Sequence, residues 1–411
     1  MNIAIIGAGA SGLMCACQLP KHHIITLIEK NATSGKKLLL TGKGRCNITN
    51  LCAPNSFLNS IPQNAEFLAH AINLFTPQST VDFFNDLGLE TITENNNRIF
   101  PKTGKAQAVR QILELAATAN GARFLYNTQA NSIQKSEKGF AVSTTNLATN
   151  QSEQLEFDTV IVATGGLSYS ATGSTGDGYS FAFSLGHNII TPRPSLCGIQ
   201  LIEPAGFMGT SVQVKAKILD PYGRSVLSIR NAVGEIMFTK LGISGPAIFR
   251  NIAHFKGQSL ANYTLAIDFM PFSETEELVW LIEKAIIENA DKSVFYVLRK
   301  FLPQNIANWL TDISNINKAK PVKTFKIKER AVILELLKDT QVAIKGFDPI
   351  DTATITRGGV DVSQIDPTSM QSKLVTNLYI IGEALDVDGL SGGYNLQIAF
   401  STAAACAKSF A

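Results

Sequence analysis

Residues 3–29 read IAIIGAGASGLMCACQLPKHHIITLIE, and this stretch decides the fold. Ile3 to Ile6 make a short apolar strand, residues 11–20 carry a helical pattern that stops at Pro20, and residues 24–29 make a second strand. Strand, helix and strand in that order form a βαβ unit, whose parallel sheet is buried on both faces. Gly7-Ala8-Gly9-Ala10-Ser11-Gly12 lies where the first strand turns into the helix, the context in which a G-x-G-x-x-G has a mechanism. Gly7 permits the tight turn, Gly9 lets a pyrophosphate approach the backbone, and Gly12 allows close helix–strand packing. The helix N-terminus at Ala10 and Ser11 offers free N–H groups and a positive dipole end to the phosphate. Glu29 ends the second strand, 22 residues after Gly7, where ribose hydroxyls need an acceptor. A carboxylate there repels a 2′-phosphate, so FAD or NAD fits and NADP does not.

The other end of the chain separates FAD from NAD. Ile380-Ile381-Gly382-Glu383 is a strand leading to a glycine and a carboxylate, and Gly389, Gly392 and Gly393 then introduce a helix over 393–409. In two-dinucleotide-binding flavoproteins such a turn sets a carboxylate near the ribitol and a helix N-terminus near the flavin pyrimidine. A reduced anionic flavin carries charge there, and a helix dipole stabilises it. Val162-Ala163-Thr164-Gly165-Gly166 supplies the matching middle motif, a strand ending in a glycine pair.

Composition bounds the rest. A chain of 411 residues, 45% hydrophobic and 17% charged, is an ordinary globular protein with room for two or three cores. A net charge of +3 permits a phosphate-rich partner such as RNA without demanding one. Six cysteines without a CxxC pair do not build a disulfide scaffold, and no His/Cys/Asp cluster has metal spacing, so no metal is expected. No Gly-x-Ser-x-Gly nucleophile occurs. No basic leader precedes the first strand and no apolar run reaches the roughly 18–20 residues of a membrane span. A cytoplasmic protein is expected.

Between the two dinucleotide motifs, helical patterns occupy 64–88 and 104–120, and 159–163 reads as a buried strand. From about 191 the texture changes. Residues 212–219 alternate, Pro221-Tyr222-Gly223 turns the chain, and 225–229 alternate again, the pattern of an antiparallel hairpin. Residues 273–290 read as an amphipathic helix opened by a Ser273/Glu276 capping box, with more helix to about 313 and at 328–338. The expected class is α/β, a Rossmann-type FAD-binding domain over 1–190 and 347–411 interrupted by an insertion.

Five motifs make the resemblance specific: Thr41-Gly42-Lys43-Gly44-Arg45-Cys46-Asn47-Ile48-Thr49-Asn50, Thr172 to Tyr179 (TGSTGDGY), Gly242-Ile243-Ser244-Gly245-Pro246, Thr356-Arg357-Gly358-Gly359-Val360, and Gly382-Glu383 with Gly392-Gly393-Tyr394-Asn395-Leu396-Gln397. Across nearly its whole length the chain resembles the BaiN/RdsA (YhiN-like) family of NAD(P)/FAD-dependent oxidoreductases. The resemblance implies a β-barrel-like insert (191–272, returning over 326–346) and a helical lobe (273–325). It also implies reduction of activated carbon–carbon double bonds, with bile-acid enones and large-subunit ribosomal RNA uridines as the substrates linked to members. Two positions depart from the family: Lys240 stands where a His is usual, and Ser170 where a Pro is usual.

Motifs and resemblance together place cofactor binding at Gly7, Gly9, Ala10, Ser11, Gly12, Glu29, Lys30, Lys37, Gly42, Gly44, Arg45, Cys46, Asn47, Thr164, Gly165, Gly166, Gly382, Glu383, Gly392, Gly393, Tyr394 and Asn395. Catalysis is assigned to Arg357, Cys46 and Lys240. Cys46 is read either as a redox thiol or as flavin packing. Arg357 is either an electrophilic clamp for a substrate carbonyl or phosphate, or a surface residue beside a turn. Lys318, Lys320, Lys323, Lys326, Lys328 and Arg330 are either a phosphate-tracking patch or a solvated face. No second G-x-G-x-x-G follows a strand, so NADH or NADPH, the expected electron donor, has to dock transiently at the flavin. The alternatives to an rRNA-directed reductase are a small-molecule enone reductase and a non-catalytic flavin-binding redox module. The substrate and the oligomeric state are not legible.

Overall fold

The structure is a computed structural model that describes residues 1–226 and 233–411. It divides into two units, Met1–Ser195 with Pro349–Ala411, and Leu196–Asp348. The boundaries fall at 195/196 and 348/349, where 190/191 and 346/347 were expected. The strand Ile189–Ser195 pairs antiparallel with Ile355–Val360, which ties its last residues to the first unit.

The first unit is built on a five-stranded sheet in the order Leu378–Ile380, Thr159–Val162, Asn2–Ile6, Ile24–Ile28, Arg123–Leu125. Every neighbouring pair in it is parallel. Asn2–Ile6 lies in the middle, and Ile3, Ala4 and Ile5 are fully buried, as a strand covered on both faces requires. The helix Ala10–Gln18 packs on Tyr394–Lys408, whose run of buried small residues, Ala403 to Ala407, allows close approach. The Rossmann reading is borne out.

Two local differences have plain causes. The pattern at 64–88 is two helices, Ala65–Leu74 and Pro77–Asp86. Pro77 has no N–H to continue the first helix and drives Thr76 to an extended conformation, where the Thr76 hydroxyl accepts the Ser79 N–H at 3.0 Å and caps the second. An antiparallel three-stranded sheet, Thr128–Ser136, Gly139–Asn146 and Gln151–Phe157, was not anticipated. Its last strand is QSEQLEF, too polar to show a buried face.

The second unit is a closed barrel in the order Ile199–Leu201, Gly242–Ser244, Val233–Phe238, Ser211–Leu219, Thr264–Asp268, Thr340–Phe347. Val214, Ala216 and Ile218 point into it from the alternating strand. That strand pairs with Val233–Phe238; residues 227–229 of the expected hairpin lie outside the described residues. The helices Thr275–Glu288, Val294–Leu298, Gln304–Ile313 and Ile327–Lys338 complete the unit. They run to Lys338, past the expected limit of 325, so the barrel's return is the strand Thr340–Phe347 alone. The Ser273 capping box does not form: Glu274 is the N-cap residue, and Ser273 instead closes a turn onto the Met270 carbonyl. No helix is long and apolar enough to cross a membrane, among the described residues.

Candidate functional site

At the C-terminal ends of the parallel strands lies a cavity of about 1180 Å³, and every residue lining it belongs to the first unit. Open α/β sheets bind their ligands at this edge. Gly7 has φ +104°, and a Cβ there would lie 2.6 Å from the Ala163 carbonyl oxygen. A Cβ on Gly12 would lie 2.0 Å from the Gly7 oxygen, so helix and turn touch through hydrogen alone. Gly9 differs. It has ordinary φ, −81°, and a Cβ on it would meet nothing within 4 Å. The space before Gly9 is therefore open, and it faces a helix end that no side chain caps. This is a cradle for a phosphate.

Glu29 is buried at the end of its strand. Its carboxylate accepts the Ala8 N–H at 2.9 Å, the Asn31 N–H at 2.9 Å and the Asn31 side-chain amide at 2.7 Å. Three donors hold it against the cavity wall. The Asn31 amide also reaches the Thr172 carbonyl at 3.0 Å, joining the 172–179 motif to the same wall. Lys30 Nζ donates to Thr175 Oγ1 and to Asp177 Oδ2, both at 2.5 Å.

Across the cavity Lys37 Nζ reaches both oxygens of Glu383, at 2.9 and 2.6 Å, and Ser168 Oγ at 2.7 Å. Glu383 Oε1 also accepts the Ser168 hydroxyl at 3.1 Å and the Thr356 N–H at 3.0 Å. A Cβ on Gly166 would press on this cluster, 2.5 Å from Thr356 Oγ1 and 2.8 Å from Glu383 Oε1. Asn395 grips Gly389 through both ends of its amide, at 2.8 and 2.9 Å.

Of the expected cofactor residues, Gly7, Gly9, Ala10, Ser11, Glu29, Lys30, Lys37, Thr164, Gly165, Glu383 and Asn395 line the cavity. Gly12, Gly166 and Gly382 pack behind it as close-contact glycines, Gly382 with φ +68° against the Ser11 side chain. Gly393, the N-cap of the last long helix, lies on the backbone of Thr49, and the Tyr394 ring packs tilted against Phe57. Gly392 offers its carbonyl to the Asn50 amide at 3.1 Å.

The loop 41–50 is only partly a cavity wall. Thr41 lines the cavity. Gly42, Lys43, Gly44 and Cys46 all have positive φ. Arg45 turns away from it, paired through two nitrogens with Glu94 at 3.0 and 2.8 Å and stacked 4.0 Å over Phe100. Cys46 is fully buried, and burial pushes its thiol up to about 12. A thiol so placed stays protonated and screened at neutral pH, the opposite of the exposed thiolate that redox chemistry needs. Asn47 does not line the cavity, but its Oδ1 is a buried acceptor with no hydrogen-bond partner, a group that calls for a donor.

The remaining assignments separate. Lys240 belongs to the second unit and is exposed. Arg357 is buried, not a surface residue, and makes an ion pair with Asp388. In the basic stretch Lys318 pairs with Asp312, Lys320 with Glu329, Lys323 with Asp291 and Arg330 with Glu283, so four of the six charges are matched. Three cavity residues that sequence reasoning missed, Thr128, Gln129 and Ala130, open a strand whose polar sequence carries no motif. No group of three His, Cys, Asp or Glu side chains able to hold a metal occurs among the described residues.

The open cradle at Gly9, the uncapped helix, the held carboxylate of Glu29 and the orphaned Asn47 oxygen fit FAD. Comparison with known proteins points the same way. A family model described as the HI0933-like protein Rossmann domain matches residues 1–409. A ribosomal RNA dihydrouridine synthase of Haemophilus influenzae is 31% identical, covering 98% of this chain and 97% of its own. A 3-dehydro-bile acid delta(4,6)-reductase of Clostridium scindens is 29% identical, covering 98% and 97%. Among solved structures, the 3-ketosteroid delta1-dehydrogenase of Sterolibacterium denitrificans superposes with a TM-score of 0.52 at 12% identity, covering 99% and 98%, which supports the fold.

Proposed function

The chain belongs to the HI0933-like family of Rossmann proteins, and from that premise we propose that it reduces the C5=C6 double bond of a uridine in ribosomal RNA. It is an FAD-dependent oxidoreductase. Two relatives carry the name ribosomal RNA dihydrouridine synthase, at 28% and 31% identity over 98% of the chain. The observation that supports the reading most is the dinucleotide cavity, about 1180 Å³ and walled by Glu29, Lys37 and Glu383.

FAD, when bound, supplies hydride from N5 and takes its electrons from a reduced donor, which we assign to NADH or NADPH. The chain's residues do the rest. Gly9 and the helix N-terminus would hold the pyrophosphate, and Glu29 would accept from ribose hydroxyls. Lys37 holds both oxygens of Glu383, which would face the ribitol hydroxyls. The helix Tyr394–Lys408, whose N-cap Gly393 brings no side chain, would offer its positive end to the charge of a reduced flavin.

RNA mass spectrometry of a deletion strain tests the substrate. Loss of one dihydrouridine from ribosomal RNA is the expected result, and an unchanged modification map sinks the RNA reading. The second reading is reduction of a small enone, as in the bile-acid reductase relative. It is favoured by the 318–330 stretch, where four of the six cations are already paired with carboxylates and so offer RNA less to hold. Anaerobic reduction by NADH or NADPH, followed by oxidation with an enone or an rRNA fragment, separates the two. A flavin that neither donor reduces favours the redox module.

A further inference from the structure

Arg357 lies on the strand Ile355–Val360, two residues beyond Ile355, which is one of the residues lining the cavity. Strand alternation puts both on one face. Its Nε donates to Asp388 Oδ1 at 2.7 Å and its Nη2 to Asp388 Oδ2 at 2.8 Å. Asp388 is fully buried and also accepts the Ser195 hydroxyl at 2.7 Å. The guanidinium is thus gripped along one edge, and Nη1 has no hydrogen-bond partner among the described residues.

The neighbouring carboxylate does not claim that nitrogen. Asp386 accepts the Gly358 N–H at 3.0 Å and the Gln63 amide at 2.7 Å. Arg193 stands opposite Arg357 in the antiparallel register and is equally buried, at 5% exposure, so a second guanidinium shares this face. Asp388 itself adjoins Gly389, which the cavity residue Asn395 holds. The arrangement is a rigid buried cation two residues along the strand from the cavity wall, with one donor unpaired among the described residues.

Hydride addition to a double bond conjugated to a carbonyl gives that donor a task. When hydride bonds to the β-carbon, the π pair shifts and leaves negative charge on the carbonyl oxygen. A proton from solvent then bonds to the α-carbon and the C=O is restored. Two electrons and two hydrogens are added in all, with the dihydroflavin as the two-electron donor. A preorganised charged donor stabilises the oxygen as its charge develops.

We propose that Arg357 donates from Nη1 to the carbonyl oxygen conjugated to the reduced double bond, with Asp388 and Ser195 as positioning residues. The site then selects double bonds conjugated to a carbonyl over isolated alkenes. This rests on the reading that the enzyme reduces C=C bonds. It accommodates both uracil, whose C5=C6 is conjugated to C4=O, and an enone.

Phenols test it without turnover, because a phenolate mimics the enolate oxygen and gives a charge-transfer band with oxidised flavin. The FAD-loaded protein is titrated with para-substituted phenols of graded acidity. Affinity is expected to rise as the phenol becomes more acidic, tracking the ionised form. Arg357→Lys should weaken phenolate binding about tenfold at unchanged flavin content, since it keeps the charge but not the fork. Asp388→Asn should weaken it by a similar factor. Because Arg357→Gln alone strands a buried carboxylate, the paired variant Arg357→Gln/Asp388→Asn is the safer one; it should bind phenol and phenolate alike. Wild-type protein that does not prefer phenolate, or a paired variant that keeps the preference, overturns the proposal. If the preference depends on Arg357 but neither enone nor uridine reoxidises the flavin, the inference about Arg357 stands and the functional reading fails.

Discussion

Three glycines of one motif have three different jobs, and substitution separates them. Gly9 has an allowed φ and open space before its Cβ, so Gly9→Ala should leave the stability of the apoprotein within about 0.5 kcal/mol while lowering its FAD content. Gly12→Ala forces a Cβ to 2.0 Å from the Gly7 oxygen and should cost about 1–3 kcal/mol with or without flavin. Urea denaturation of the apoproteins and the flavin-to-protein absorbance ratio check both. If Gly9→Ala binds FAD normally, the cradle has been misplaced. The motif was legible because its glycines answer to backbone geometry, which sequence spacing encodes directly. Cys46 and Arg45 were less legible, since the loop holding them bends through four positive φ values. Nothing in TGKGRCNITN says that Arg45 turns to Glu94 or that Cys46 turns inward.

Elements were legible where periodicity was strong and blurred at their ends. Two capping signals illustrate the limit. Thr76 caps its helix through the Ser79 N–H, whereas Ser273, followed by Glu276 as a capping box requires, makes no cap. Thr76→Ala should therefore destabilise by about 1 kcal/mol. Ser273→Ala should stay within about 0.5 kcal/mol, because its side chain caps nothing at this half-buried turn. Equal losses in urea denaturation would contradict the assigned helix starts. A cap needs the chain to enter the helix at that residue, and Pro77 enforces this after Thr76. After Ser273 nothing does, and the helix begins two residues later. The basic stretch shows the same limit for charge. Six cations in sequence left a phosphate-tracking patch and a solvated face both open, because the partners Asp312, Asp291 and Glu283 lie outside the stretch.

At the scale of the molecule the interruption of the Rossmann unit was legible, since alternating strands replace βαβ texture near 191 and the texture returns before 378. Its functional consequence follows from where the cavity is built. Every lining residue comes from Met1–Ser195 or Pro349–Ala411. Formal charge divides differently: Leu196–Asp348 holds 19 Lys and Arg against 15 Asp and Glu, and the remainder holds 17 against 18. The cofactor cavity therefore belongs to the first unit, and on the rRNA reading the more positive second unit is the one expected to attract a polyanion. Ser195 pairs with Ile355, so Pro349 lies within about 20 Å of it along an extended chain. A linker of about eight Gly and Ser residues can replace 196–348. The shortened protein should bind FAD stoichiometrically and be reduced by dithionite, because no cavity wall is removed. On the rRNA reading its affinity for an rRNA fragment should fall at least tenfold, with a shallower dependence on salt. Loss of FAD would place part of the cofactor's support in the second unit, and unchanged RNA affinity would move the polyanion surface to the first.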